Sequence, residues 1–211
     1  MIGLRHQLRL YLVTDTALCR GFGLVETVQQ AVAGGVTMVQ LRAKDATTPE
    51  RIEMALALKP ALTGTGVPLV INDDLDAAIQ ADCDGAHTGQ GDMPAPQARA
   101  LLGAGKILGL SCETPETVRA ADPNVVDYLG LGPVFGTTTK TDHEPPIGFD
   151  GLARLVGLTS LPTVAIGGLK ATHQAQVLAS GADGQAVVSA ICGQPDPKAA
   201  AQKFTQAQEA S

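Results

Sequence analysis

The side chains able to do chemistry in this sequence gather just after short apolar runs. Two carboxylates, Asp73 and Asp92, follow the consecutive runs PLVIND and GAHTG. Cations Arg42 and Lys44 follow TMVQLRA, with Gln40 inside it, and Lys140 closes the stretch GPVFGTTTK beside Thr137, Thr138 and Thr139. Paired carboxylates are hard oxygen ligands of the kind that suit Mg²⁺, which keeps several waters and is completed by substrate phosphates. Arginine grips phosphate bidentately and lysine acts as a point charge, so acids and cations together describe a diphosphate cradle. A second anion site is implied where Gly167 and Gly168 follow PTVAI, and where the last apolar run carries Val188 and Ser189. Glycine-rich loops there would expose backbone N–H groups to a phosphate. A plain solvent loop with incidental threonines would leave the lysine in GTTTK unexplained.

Such residues work together only if the chain brings the run ends to one place. The apolar runs are LRLYLVTD (8–15), TMVQLRA (37–43), PLVIND (68–73), GAHTG (85–89), ILGLSC (107–112), DYLGLG (127–132), PTVAIGG (162–168) and QAVVSAI (185–191). They are short and bounded by Gly, Pro or Asp, as buried parallel strands are. Helical stretches separate them: 24–35, 48–62, a short piece over 75–82, then 93–105, 114–122, 149–158, 171–182 and 197–210. In the 48–62 segment Thr48 reads as the N-cap, Pro49 as the first helical residue and Glu50 as part of the first turn. Eight strands alternating with helices predict an α/β fold, a single (β/α)8 TIM barrel forming one domain over residues 1–211. A doubly wound open sheet would use fewer strands at this length. In a barrel the active site lies at the C-terminal ends of the strands, and every residue named above falls there, together with Asn72 and Ser111.

Composition narrows the classes. A net charge of −6 argues against a nucleic-acid surface, which carries a basic stripe. Aromatics make up only 3% and tryptophan is absent, so the core must be aliphatic. No apolar stretch is long enough for a membrane span, and the first residues lack a signal-peptide pattern; the expectation is a cytoplasmic protein acting on small molecules. Cys19, Cys83, Cys112 and Cys192 show no CxxC spacing and read as buried free thiols. His87 reads as a satisfied residue of the fourth strand, His6 and His173 as surface residues, and Met38, Met54 and Met93 as core. Assembly into a homo-oligomer is left open.

The ordered set QLRAKD, IND, GAHTGQGDMP, GLSC, GPVFGTTTK, VAIGG and GADGQAVVSAI resembles the thiamine-phosphate synthase family over nearly the whole chain. That resemblance implies condensation of hydroxymethylpyrimidine diphosphate with hydroxyethylthiazole phosphate, giving thiamine phosphate and pyrophosphate. It implies that Gln40, Arg42, Lys44, Asn72 and Lys140 hold the pyrimidine diphosphate and that Asp73 and Asp92 bind Mg²⁺. Ser111 would lie near the pyrimidine or the leaving group. Thr137, Thr139, Gly168, Val188 and Ser189 would hold the thiazole phosphate, and Lys140, Ser111 and Arg42 are the expected catalytic residues. The chain departs from the family pattern at Asp74, where many members carry Arg, at Gly91, often acidic, and at Gly136, often Pro. An extra acid beside the metal ligand would either weaken diphosphate binding or point away. Two rivals share the pattern in part: a thiazole tautomerase, which releases no pyrophosphate, and a non-catalytic binder of phosphate ligands.

Overall fold

The computed structural model describes residues 3–136 and 145–209. Eight strands, β1 (Leu10–Val13), β2 (Met38–Leu41), β3 (Leu69–Asn72), β4 (Gly85–Thr88), β5 (Ile107–Cys112), β6 (Tyr128–Leu131), β7 (Thr163–Ile166) and β8 (Gly184–Val187), close into one barrel in sequence order. Every neighbouring pair is parallel, including β1 with β8. Helices α2 (Leu24–Ala33), α3 (Thr48–Leu62), α4 (Leu75–Gln80), α5 (Ala95–Leu102), α6 (Pro115–Ala120), α7 (Gly148–Val156), α8 (Gln174–Ala179) and α9 (Pro197–Glu209) follow the strands in turn, as a (β/α)8 barrel requires. Among the described residues no helix is long and apolar enough to cross a membrane.

The strand period of two sorts side chains between two apolar regions. Leu10, Leu12, Val39, Leu41, Leu69, Ile71, Leu108, Leu110, Leu129 and Leu131 point outward and pack under the helices. Tyr11, Val13, Met38, Val70, Tyr128, Val164 and Ala186 fill the barrel interior together with Leu8. A short helix absent from the sequence reading, α1 (Leu4–Gln7), brings Leu4 against this interior cluster. At four residues it is too brief to leave a periodic signal.

The cap of α3 differs from the expectation by one residue. Thr47, not Thr48, is the N-cap: its side chain accepts the Glu50 N–H, and the Glu50 carboxylate accepts the Thr47 N–H at 2.7 Å. Two adjacent threonines made the sequence ambiguous, but Glu50 stands three residues after Thr47, the spacing a capping box needs. Strand β8 ends at Val187, so Val188 to Ile191 form a turn rather than more strand. Met93 is 37% exposed rather than core, and His173 is half-buried against Phe135 and Phe149 rather than on the surface.

Candidate active site

Because the barrel is closed and in register, each strand delivers one inward residue to the C-terminal mouth. These are Val13, Gln40, Asn72, His87, Ser111, Gly130, Ile166 and, one residue past β8, Val188; all line one cavity of about 1250 Å³. Arg42, Lys44, Asp73, Asp92, Gly168 and Ser189 line the same cavity. Every described residue predicted from the sequence therefore meets there. Thr137, Thr139 and Lys140 lie outside the described residues. A smaller hollow of about 500 Å³ at the opposite end, lined by Leu4, Gln7, Lys106, Ile107 and Asp127 among others, holds none of the predicted residues.

The floor of the mouth is a chain of hydrogen bonds across the barrel. Gln40 Nε2 donates to the Tyr11 hydroxyl at 2.7 Å, and the Tyr11 and Tyr128 hydroxyls are bonded at 2.8 Å. The Tyr128 hydroxyl meets His87 Nδ1 at 2.9 Å, and His87 Nε2 meets Ser111 Oγ at 2.9 Å. The amide N–H donates at one end of the chain, and the hydroxyls and the imidazole can each donate or accept along the rest. Burial pushes both phenols above their ordinary value, so they stay neutral. The Ser111–His87 pair resembles a nucleophile with its base, but the group on Nδ1 is a neutral phenol rather than a carboxylate that would stabilise an imidazolium. The relay needs Gly109: a Cβ there would collide with the Tyr128 ring and hydroxyl and with His87 Nδ1.

The acids sit at the next level up. Asp73 adopts φ 62°, an uncommon conformation for a residue with a side chain, and its N–H is fixed to the His87 carbonyl at 2.8 Å. Asn72 Nδ2 donates to Asp73 Oδ2. Asp92 Oδ2 accepts the Gly89 N–H at 2.7 Å. Crowding by the cavity wall, then the adjacent Asp92 carboxylate, push the Asp73 carboxyl up to about 7, although water still reaches it. Two carboxylates held together in this way favour a cation between them. Among the described residues no set of three or more His, Cys, Asp or Glu forms a metal cage. Two acids beside the cations Arg42 and Lys44 fit Mg²⁺, which takes few protein ligands and relies on water and phosphate for the rest.

The cation loop after β2 is anchored by residues the sequence reading missed. Arg51, on α3, donates to the Ala43 carbonyl at 3.1 and 3.0 Å and to the Lys44 carbonyl at 3.3 Å. Its Nη1 pairs with Asp74 Oδ2 at 2.9 Å. Asp74 also accepts from Thr48 Oγ1 at 2.8 Å and caps α4 through Ala77 N–H at 2.9 Å. Partial burial would raise its carboxyl; the hydrogen bonds from Ala77, Thr48 and Arg51 outweigh this and hold it below the ordinary carboxylate range. So Asp74 points away from the mouth and, through Arg51, fixes the backbone that carries Arg42 and Lys44. Arg42 itself reaches Asp15 at 3.9 Å and acts electrostatically on Asp73.

The residues expected to form a second anion site are framed by backbone. Gly168 has φ 62°, and a Cβ there would strike the Gly136 carbonyl and the Phe135 Cβ, at 2.8 and 2.9 Å. Phe135 packs edge-on against Phe149 at 5.2 Å and against His173 at 4.9 Å, bracing the chain where it enters residues 137–144. Ser189 lies in the turn after β8, where the Val188 carbonyl accepts the Cys192 N–H at 2.8 Å.

Fold and site together define a (β/α)8 barrel whose C-terminal mouth, the face where barrel enzymes work, gathers acids and cations around one cavity. Residues 10–191 match the family model described as thiamine monophosphate synthase, and the chain belongs to that family. It is 51% identical over 198 residues to a thiamine-phosphate synthase of Psychrobacter sp. (strain PRwf-1), covering 92% of each chain. It is 49% identical over 199 residues to the one of Albidiferax ferrireducens, covering 94% of this chain and 91% of that protein. The solved thiamine phosphate pyrophosphorylase from Pyrococcus furiosus superposes with TM-score 0.89 at 34% identity, covering 99% of this chain and 98% of that one. The chain is accordingly a transferase of the thiamine-phosphate synthase type.

Proposed function

We propose that this protein condenses hydroxymethylpyrimidine diphosphate with hydroxyethylthiazole phosphate, in one catalytic unit, to give thiamine phosphate and pyrophosphate. The single observation that carries this reading is the meeting of Arg42, Lys44, Asp73 and Asp92 around one cavity whose floor is the Gln40-to-Ser111 relay. The reaction breaks the pyrimidine CH₂–O bond, the electron pair leaving with pyrophosphate, and the thiazole nitrogen then bonds to the CH₂ carbon.

Asp73 and Asp92 would hold Mg²⁺, which when bound supplies positive charge against that developing on the leaving pyrophosphate. Arg42 and Lys44, preorganised by Arg51, do the same from the protein side at no reorganisation cost during the reaction. Ser111, bonded to His87 Nε2 at 2.9 Å, places its hydroxyl beside the leaving oxygen or the pyrimidine. Gln40 and Asn72 orient the pyrimidine diphosphate. Tyr11, Tyr128, Val13, Val164 and Ile166 form an apolar or neutral wall that keeps water from the electron-poor CH₂ carbon. Gly168, Val188 and Ser189, with Thr137 and Thr139, hold the thiazole phosphate so that its nitrogen faces that carbon, and such alignment contributes strongly to rate. Lys140 completes the cation set.

The test is a coupled pyrophosphate-release assay with both substrates, with and without Mg²⁺. Metal-dependent release that needs both substrates supports the reading. Conversion of a thiazole phosphate without pyrophosphate would assign an isomerase instead.

A further inference from the structure

The seam where β8 meets β1 holds a pair of thiols that plays no part in the chemistry above. Cys19 lies on a 3-10 turn (Leu18–Gly21) after β1, and Cys192 lies in the turn after β8. Their sulfurs are 3.5 Å apart, and both residues are buried. We infer that Cys19 and Cys192 form a peroxide-oxidisable dithiol that closes reversibly to a disulfide across the barrel seam.

Three observations support it. First, a disulfide needs its sulfurs at about 2.05 Å, and the pair already lies in hydrogen-bond contact, so closure asks for a small shift of two surface turns. Second, Cys19 has a thin cover: residues 17, 18 and 20–23 are all exposed, so a small oxidant has only one turn to pass. Third, the partner sulfur stabilises one negative charge on the pair. The Cys192 contact draws the Cys19 thiol down to about 7 against the opposing effect of burial, while the same contact and burial push Cys192 up. The thiolate is the form that attacks peroxide. Cys83 and Cys112 provide an internal contrast, since burial pushes each of those thiols up to about 11.

The step balances with hydrogen peroxide as oxidant. The Cys19 thiolate attacks one peroxide oxygen; the S–O bond forms, the O–O bond breaks, and hydroxide leaves and is protonated to water. The Cys192 sulfur then attacks the sulfenic sulfur, the S–S bond forms, the S–O bond breaks, and a second water leaves. Two thiols give up two electrons and two protons per peroxide.

The experiment treats the folded protein with stoichiometric hydrogen peroxide, blocks remaining thiols after unfolding, and maps the digest by mass spectrometry. The expected result is a loss of two hydrogens, one cross-linked peptide pair joining Cys19 to Cys192, and full reversal by dithiothreitol. Cys83 and Cys112 should remain alkylatable at rates of loss at least tenfold lower. The C83S/C112S double variant, which keeps the pair, should cross-link at the native rate. Cys192→Ser should abolish the cross-link and leave Cys19 to over-oxidise. Oxidation spread evenly over the four cysteines, or a Cys19 sulfinate formed in the native protein without any cross-link, would overturn the assignment. None of these readouts depends on the catalytic activity.

Discussion

Replacing Arg51 by methionine tests whether the cation loop is held from behind. Methionine keeps the apolar stem and removes every donor. The structure sets the size of the effect. The Arg51–Asp74 contact at 2.9 Å joins side chains that are 20% and 11% exposed, so it is mostly shielded from solvent. A hydrogen bond to a charged group is worth about 1.5–3 kcal/mol, and partial exposure places this one near the middle, at about 2 kcal/mol. The Ala43 carbonyl, on a buried residue, loses both its guanidinium donors, which adds about 1 kcal/mol. A total of about 3 kcal/mol lowers Tm by roughly 6–12 °C for a chain of this size. The loop bearing Arg42 and Lys44 then drifts, and a misplacement of about 1 Å can cost on the order of 100-fold. We therefore expect kcat/KM for the pyrimidine diphosphate to fall about 10- to 100-fold at a temperature where circular dichroism shows the variant folded. KM for the thiazole phosphate should stay within about twofold, since alignment losses of this kind are local to the displaced group. A folded Arg51→Met enzyme with unchanged kcat/KM would refute the idea that Arg51 and Asp74 position the diphosphate cations.

Further outcomes follow from the same geometry. Lys140→Ala, at a position whose role rests on the family resemblance rather than on the described residues, should lower kcat/KM by about two orders of magnitude (~3 kcal/mol) with the melting curve unchanged. Asp92→Asn should raise the Mg²⁺ concentration needed for half-maximal activity. It should also change the metal-free protein: Asp73 is raised in the folded state from its ordinary 3.8 to about 7, so stability contributed by its protonated form is present below that ordinary value and is lost as pH rises through 7. Removing the Asp92 charge should flatten this loss, visible as a higher Tm at pH 8 than the parent without metal. Tyr128→Phe deletes the hydroxyl bonded to His87 Nδ1, and kcat should fall about tenfold with KM for both substrates little altered, measured by steady-state kinetics. Gly109→Ala forces a Cβ into Tyr128 and His87 and should cost about 1–3 kcal/mol in denaturant unfolding, because overpacking at a rigid site cannot relax.

The barrel was legible because its strands are short, apolar and separated by capped helices, and one inward residue per strand end is a consequence of the period of two. Gln40, Asn72 and Ser111 could thus be picked out as polar residues at the ends of buried runs. The acids and cations were legible from type and place. What the chain concealed are contacts between distant segments with no local period. Nothing in the local sequence marks Tyr11 and Tyr128, and only barrel closure makes their hydroxyls meet at 2.8 Å. Nothing in its own helix marks Arg51, which reaches back to the Ala43 and Lys44 carbonyls and across to Asp74. Asp74 stood out as a departure from the family pattern, and its direction depended on α3, which its own neighbourhood in sequence cannot reveal. Cys19 and Cys192 are separated by nearly the whole chain and become neighbours because β1 pairs with β8.

The central claim is that one cavity joins a metal held by two acids to a diphosphate held by the cations of the next strand. A crystal structure with Mn²⁺ and inorganic pyrophosphate tests it most directly, the manganese being located by its anomalous signal. We expect the metal against Asp73 and Asp92 and the pyrophosphate bridging it to Arg42 and Lys44. Metal or pyrophosphate bound elsewhere, with Asp73 and Asp92 left bare, would contradict it.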